Sequence, residues 1–158
     1  MTQVVRQVAR YANVATAASS ANEAHAGPAR IESSASAATP ERGRVRYAGA
    51  HLLIDLYGAS ALDDIEAIER CLVKCVEAAG ATLLHIHLHP FEPNGGVSGV
   101  AVLAESHLSI HTWPEHAYGA VDVFMCGKAR PERCVDVLRD TFRPQRLVVE
   151  EIMRGSLR

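Results

Sequence analysis

The alternation of apolar and polar residues predicts one folded domain that begins near Val45. Continuous or alternating apolar stretches indicate strands over residues 51–57, 82–89, 97–104, 120–126 and 147–152. The third of these strands is expected to continue through Ser106 as far as His111. The strands are short and polar residues return regularly, which is typical of an antiparallel sheet with one face on the core.

Two segments with apolar residues at helical spacing separate these strands. The first helix is expected to begin near Ser60, with Asp63 as the second member of a capping pair, and to end at Gly80. Pro131 is expected to open the second helix and Pro144 to end it. The order of elements predicts an α+β fold, a two-layer α/β sandwich in which an antiparallel sheet carries two main helices on one face.

The first 43 residues differ from the remainder of the chain, which forms the predicted domain over residues 44–158. They are rich in Ala, Ser and Arg, and they contain few large apolar residues after Tyr11 and Val14. Such a segment buries too little surface to offset its ordering entropy, so residues 1–43 are expected to be a disordered extension. Residues 1–22 contain Arg6 and Arg10 and no acidic residue, which leaves open a short amphipathic helix or a targeting peptide.

The composition of the chain limits the classes of molecule that it is expected to bind. The chain has 158 residues, a net charge of −2 and 48% hydrophobic residues, so no general affinity for nucleic acid or an anionic membrane is indicated. No apolar run approaches the length of a membrane span. The four cysteines form neither a CxxC pair nor a zinc spacing, and no secretory signal is visible. Reduced thiols in a cytoplasmic protein are therefore expected.

The chemistry is concentrated between residues 104 and 115, where a Glu105–Ser106 bond precedes two histidines and the single tryptophan of the chain. A serine hydroxyl beside the carbonyl that precedes it, with an imidazole nearby, has the groups needed for self-cleavage of the backbone. His107 and Ser109 flank this bond, and the sequence alone leaves a structural role equally open for each.

The same residues resemble the prokaryotic S-adenosylmethionine decarboxylases, pyruvoyl enzymes that form by self-cleavage of a proenzyme. The resemblance covers residues 47–153 and implies the same two-layer fold. The matching segments are Val97-Ser98-Gly99, Glu105-Ser106-His107-Leu108, Ile110-His111-Thr112-Trp113-Pro114-Glu115 and Asp122-Val123-Phe124-Met125-Cys126-Gly127.

This resemblance implies a role for each matching polar residue. Cleavage between Glu105 and Ser106 converts Ser106 into a covalent pyruvoyl cofactor, which binds the substrate amine as a Schiff base and drives the loss of CO2. His111 matches the base that accepts the α-hydrogen of residue 106 during processing. Ser98 matches a processing residue that donates a hydrogen bond, and Cys126 matches the proton donor of the decarboxylation.

The resemblance also implies the substrate, S-adenosylmethionine, and a product that donates aminopropyl groups to polyamines such as spermidine. Glu115 matches a residue that binds the ribose hydroxyls, and Phe91 an aromatic residue that stacks on adenine. Here Gly95-Gly96 places one more residue between Phe91 and Ser98 than many relatives have. Cleaved protomers are expected to form a homo-oligomer, a dimer composed of two large and two small chains.

The sequence alone leaves other functions open. Arginine or ornithine decarboxylation needs the same pyruvoyl group without an adenosine pocket, and a homologue that does not cleave itself could regulate a cleaved partner. His85, His87 and His89 alternate along one strand and could instead bind a catalytic metal, for which imidazoles favour zinc over magnesium. A polar surface toward another subunit is the simpler explanation of these histidines.

Overall fold

The computed structural model describes residues 41–42 and 45–157, which form a seven-stranded sheet and two α-helices. The predicted disordered extension over residues 1–43 lies outside the described residues, except for two residues in the first strand. No helix in the described ranges has both the length and the apolar character needed to span a membrane.

The strands are β1 (Glu41–Arg42), β2 (Val45–Tyr57), β3 (Leu83–Pro90), β4 (Val97–Leu103), β5 (Ser106–Trp113), β6 (Tyr118–Met125) and β7 (Arg146–Leu157). The helices are α1 (Ile65–Ala79) and α2 (Cys134–Phe142), with short 3-10 turns at Pro114–His116 and Pro131–Arg133.

All neighbouring strands of the sheet are antiparallel. β2 pairs with β6 and with β7 over the same residues, so it lies between them, and β5, β4 and β3 follow β6. β1 pairs only with the first residues of β2. The predicted α+β sandwich with an antiparallel sheet is confirmed.

The core lies between the helices and one face of the sheet, because apolar residues alternate along the strands with period two. In β6, Val121, Val123 and Met125 are at most 1% exposed, as the alternation predicts. Leu72 and Leu138 of the two helices are fully buried against this face. The opposite face of the sheet, here called the outer face, carries polar and aromatic side chains.

Helix α1 begins later than its sequence predicts. Its N-cap is Asp64, whose carboxylate accepts a hydrogen bond of 2.9 Å from the amide of Ala67. The hydroxyl of Ser60 instead donates to the carbonyl of Phe142 at 3.1 Å, which ties the segment before α1 to the end of α2. The predicted end is correct, since Gly80 adopts φ of 68° and closes the helix with bonds to carbonyls of its last turn.

The prediction of one strand from Val97 to His111 is wrong. β4 ends at Leu103, the chain reverses at Ala104-Glu105, and β5 begins at Ser106. The favoured two-residue hairpin turns contain Gly or Asn, which this turn lacks, so its sequence carries no turn signal. The reversal places the Glu105–Ser106 bond at the tip of a hairpin.

Candidate active site

Ser106, directly after the β4–β5 turn, has a strained backbone. Leu103 and Ser106 are paired across this turn, with Ala104 and Glu105 at its tip. The positive φ falls on Ser106, at 148°, a value that residues with a side chain rarely adopt. Such a conformation costs about 1–3 kcal/mol and persists only where surrounding contacts hold it. The strained residue is the one whose peptide bond is expected to break.

Contacts to Thr82 hold the turn from one side. The carboxylate of Glu105 accepts hydrogen bonds from the amide of Thr82 at 2.8 Å and from its hydroxyl at 3.3 Å. The amide of Ala104 donates to the carbonyl of Thr82 at 3.0 Å. Thr82 directly precedes β3, which is paired with β4, so the residue before the expected cleavage point is attached to the start of the neighbouring strand. No sequence motif marks Thr82 for this role.

The carbonyl oxygen of Glu105 accepts a hydrogen bond of 3.0 Å from the amide of Cys126. Cys126 directly follows β6, whose last residue, Met125, is paired with Ser106. A backbone amide aimed at this oxygen can stabilise the negative charge that develops there when a nucleophile attacks the carbonyl carbon. The half-buried thiol of Cys126 is free, and the period-two alternation assigns it to the outer face.

The hydroxyl of Ser106 lies 3.2 Å from Nδ1 of His107. Glu105, Ser106, His107 and Cys126 thus form one group of adjacent residues, here called the cleavage cluster. It contains an alcohol, an imidazole, a thiol and an amide donor around one peptide bond. The alcohol, the imidazole and the amide donor are the groups that an intramolecular acyl shift requires.

A second group lies at the other end of β5. Ser98 and His111 are paired across β4 and β5, and the hydroxyl of Ser98 is 2.7 Å from Nδ1 of His111. Both residues line a pocket of about 610 Å³, to which Trp113 also contributes. Among the described residues, this pocket has the size of a small-molecule site.

The loop between β3 and β4 forms the opposite wall of this pocket. Phe91 is 47% exposed and packs edge-on against His89, with 4.8 Å between ring centroids, so it is not a core residue. The side-chain amide of Asn94 donates to a carboxylate oxygen of Glu115 at 3.0 Å. Phe91, Asn94, Ser98, His111 and Glu115 are here called the pocket cluster.

Aromatic residues extend from this cluster across the outer face. Trp113 stacks on Tyr118 with 5.3 Å between ring centroids. The hydroxyl of Tyr118 donates to Asp55 at 2.5 Å, and this hydrogen bond raises the pKa of Tyr118 to about 12. Tyr118 is therefore neutral at physiological pH and donates this hydrogen bond to Asp55. The bond fixes the Tyr118 ring that stacks on Trp113.

The two clusters are separate within one chain. Ser106 and His111 both lie on β5, five residues apart, and a strand rises about 3.3 Å per residue, which puts their Cα atoms about 16 Å apart. Cys126, although more distant in sequence, lies beside Ser106 because β6 is paired with β5 in this register. A single protomer thus brings together Ser106 and Cys126, but not Ser106 and His111.

The histidines of β3 do not form a metal centre in the described residues. His85, His87 and His89 are exposed, and no group of three or more potential ligands is close enough to hold an ion within residues 45–157. They alternate along the edge strand, consistent with a polar sheet surface.

Comparisons with known proteins show which family the chain resembles. A family model described as S-adenosylmethionine decarboxylase matches residues 50–155. The S-adenosylmethionine decarboxylase proenzyme of Thermomicrobium roseum is 48% identical over 110 residues, covering 69% of this chain and 95% of that protein. Its counterpart in Methanococcus vannielii is 46% identical over 114 residues, covering 70% of this chain and 93% of that protein. The crystal structure of the adenosylmethionine decarboxylase from Aquifex aeolicus matches with a TM-score of 0.63 and 37% identity, over 71% of this chain and 94% of that one.

Proposed function

Because the chain belongs to the S-adenosylmethionine decarboxylase family, we propose that it is made as a proenzyme that cleaves itself between Glu105 and Ser106. Its activity is the decarboxylation of S-adenosylmethionine, which supplies an aminopropyl donor for polyamine synthesis. The surroundings of Ser106 support formation of the pyruvoyl group from this residue. Its hydroxyl contacts an imidazole, its backbone is strained, and an amide donates to the carbonyl that precedes it.

Cleavage begins with an N-to-O acyl shift. The hydroxyl oxygen of Ser106 attacks the carbonyl carbon of Glu105, the C–N bond breaks, and an ester replaces the amide. A planar amide resists this attack, so the reaction needs help from the fold. The strain at φ of 148° raises the energy of the starting state, and the Cys126 amide, 3.0 Å from the carbonyl oxygen, stabilises the developing charge.

The ester is then broken by elimination. His111 accepts the α-hydrogen of residue 106. The main-chain carboxylate of Glu105 leaves and becomes the new C-terminus of the large fragment. The dehydroalanine at position 106 tautomerises and loses ammonia to water, which leaves a pyruvoyl group at the new terminus. Ser98, 2.7 Å from Nδ1 of His111, holds the imidazole so that its other nitrogen can take this hydrogen.

A pyruvoyl group at position 106 would supply a ketone for the amine of the substrate and would withdraw electrons during the loss of CO2. Cys126 then donates a proton to the α-carbon of the decarboxylated substrate. Its backbone amide lies 3.0 Å from the Glu105 carbonyl, so its thiol is carried by the residue directly beside the reacting bond. Cys126 therefore serves both reactions, through its amide in cleavage and through its thiol in decarboxylation.

Each active site joins the cleavage cluster of one protomer and the pocket cluster of its partner. The enzyme is a dimer of cleaved protomers, with two large and two small chains. A two-fold axis through the middle of β5 exchanges the ends of that strand, so each cleavage cluster meets the other copy's pocket cluster. The exposure of Val102 and Trp113 on the outer face, at 40% and 39%, supports burial of this face between two copies.

The proposal depends most on one observation: the amide of Cys126 donates a hydrogen bond to the carbonyl oxygen of Glu105, next to the strained Ser106. Intact mass under denaturing conditions tests it. Cleavage after Glu105 of the 158-residue chain gives fragments of 105 and 53 residues (158 − 105), the second blocked by a pyruvoyl group. A single full-length species after prolonged incubation would contradict the proposal.

Asn94→Ala is expected to raise KM for S-adenosylmethionine about twofold to tenfold, with little change in kcat. Asn94 donates to the carboxylate of Glu115 at 3.0 Å, and its own carbonyl oxygen accepts from the amide of Gly96 at 3.4 Å. Asn94 therefore orients the group that we assign to the ribose hydroxyls, and one hydrogen bond is worth about 0.5–1.5 kcal/mol. Steady-state kinetics on fully cleaved enzyme measures the effect.

A double-mutant cycle with Glu115→Ala tests whether Asn94 acts through Glu115. If it does, Asn94→Ala adds nothing to the KM of the Glu115→Ala enzyme. Additive effects of the two substitutions on KM would show instead that Asn94 contributes independently of that carboxylate.

A further inference from the structure

His107 is the imidazole that contacts the attacking hydroxyl. Its Nδ1 lies 3.2 Å from the oxygen of Ser106, which is hydrogen-bond distance in the uncleaved chain. The ring packs edge-on against Phe124, with 5.9 Å between centroids at 65°, and it is half-buried. A nitrogen held at this position can accept the proton that the hydroxyl loses when its oxygen attacks.

His111 does not fill this role within the same protomer. It lies about 16 Å along β5 from Ser106. Its Nδ1 is engaged with the hydroxyl of Ser98 at 2.7 Å. In the proposed dimer, the partner's His111 reaches residue 106 to remove the α-hydrogen, which is a later step at a different atom. Within one protomer, the imidazole at hydrogen-bond distance from the Ser106 hydroxyl is that of His107, in the cleavage cluster itself.

We propose that His107 is the acid-base catalyst of the N-to-O acyl shift. Its neutral imidazole takes the proton of the Ser106 hydroxyl at Nδ1 as the oxygen bonds to the carbonyl carbon of Glu105. The same nitrogen returns the proton to the amide nitrogen of Ser106 as the C–N bond breaks. The result is an ester and a free amine, with no other reactant consumed. This role rests on the proposed self-cleavage and extends it to a residue that the family resemblance leaves without a function.

A carboxylate and a second imidazole lie behind His107. The ring of His51 packs edge-on against that of His107, with 6.5 Å between centroids. Nε2 of His51 is buried, has no hydrogen-bond partner within the described residues, and lies 3.4 Å from a carboxylate oxygen of Asp122. The hydroxyl of Ser109 donates to the other oxygen of Asp122 at 3.3 Å.

The carboxylate of Asp122 contacts His51, whose ring in turn packs against His107. The guanidinium of Arg154 lies over the ring of Phe124, 5.1 Å from its centroid. His51 and Asp122 are positioning residues, because they act on Ser106 through His107.

His107→Gln is expected to slow self-cleavage about 10²-fold to 10⁴-fold, the usual contribution of a positioned acid-base group. The rate is measured on freshly made proenzyme from the appearance of the 53-residue fragment in intact-mass spectra. His87→Gln is the matched control, because His87 is exposed on β3, and its cleavage rate should equal that of the unsubstituted chain. Equal melting temperatures for the two variants establish that His107→Gln is folded.

Hydroxylamine separates this role from one in the later step, since it cleaves esters readily and amides poorly. His111→Gln should accumulate the ester and be cut by hydroxylamine between residues 105 and 106. His107→Gln should resist hydroxylamine, because its ester does not form. A His107→Gln chain that cleaves at the normal rate, or that hydroxylamine cuts as fast as His111→Gln, would overturn the role of His107.

Imidazole rescue provides a test that does not depend on His107→Gln. His107→Ala leaves space beside Ser106, and added imidazole is expected to increase its cleavage rate at least tenfold. His111→Ala already forms the ester, so added imidazole should not change the rate at which its ester forms. Absence of rescue in folded His107→Ala would count against the proposal. Failure of the unsubstituted chain to cleave would instead contradict the proposed function, so the two failures are distinguishable.

Discussion

Ser106→Ala is expected to remain a single chain of 158 residues and to have no measurable decarboxylase activity. Without the hydroxyl there is no nucleophile for the carbonyl of Glu105, no ester and no pyruvoyl group. The loss should exceed that of any other single substitution, because the variant lacks both the cleavage reaction and the cofactor. Intact mass after prolonged incubation and CO2 release from carboxyl-labelled S-adenosylmethionine measure the two losses.

Ser60→Ala is the matched control for this substitution. The hydroxyl of Ser60 donates to the carbonyl of Phe142 at 3.1 Å, far along the chain from the cleavage cluster. Its removal should lower stability by about 1 kcal/mol and leave cleavage complete. A Ser106→Ala enzyme with normal turnover would mean that the catalytic ketone does not originate at position 106.

The sheet and its core could be predicted because their sequence signal is local. Apolar residues at every second position of β6 have to face the helices, so Val121, Val123 and Met125 are buried. Gly80 marks the end of α1 because it accepts φ of 68° without strain. These positions satisfy local preference and global packing together, which is why a pattern in the sequence is enough to identify them.

The β4–β5 turn could not be predicted for the opposite reason. Its residues, Ala104 and Glu105, are poor turn formers, and the positive φ is forced onto Ser106. The surrounding contacts, such as the Thr82 amide to the Glu105 carboxylate at 2.8 Å, hold a conformation that the sequence disfavours. A violation of local preference at this point is functional, because it strains the bond that is to be broken.

The composition of the site depended on pairing register, which a single sequence does not reveal. The motif Glu105 to His111 suggests that Ser106 and His111 act side by side, yet an extended strand separates them by about 16 Å. Cys126 lies twenty positions after Ser106 and still reaches Glu105 through its backbone amide. Every residue has an amide, so no residue type could have identified this contact.

Two inactive variants are expected to restore activity when they are produced together. Ser106→Ala removes the cleavage cluster of one chain, and His111→Ala removes the pocket cluster of the other. In a mixed dimer, one of the two sites combines an intact Ser106 with an intact His111, because the clusters come from different protomers. Random mixing makes about half of the dimers mixed, so activity should reach about a quarter of that of the unsubstituted enzyme. Co-expression is required, since the recovered site must also carry out cleavage.

The matched control pairs two variants of the same cluster, Ser106→Ala with Cys126→Ala. The amide of Cys126 lies 3.0 Å from the Glu105 carbonyl within one chain, so these two residues serve the same site from the same protomer. Each site of a mixed dimer then lacks one of them, and co-expression should give no more activity than the single variants. Recovery in this control would place Ser106 and Cys126 of one site in different protomers. No recovery with Ser106→Ala and His111→Ala would place all the catalytic groups within one protomer. That result would require β5 to bend sharply between Ser106 and His111, because an extended strand keeps the two side chains too far apart to act on the same atom.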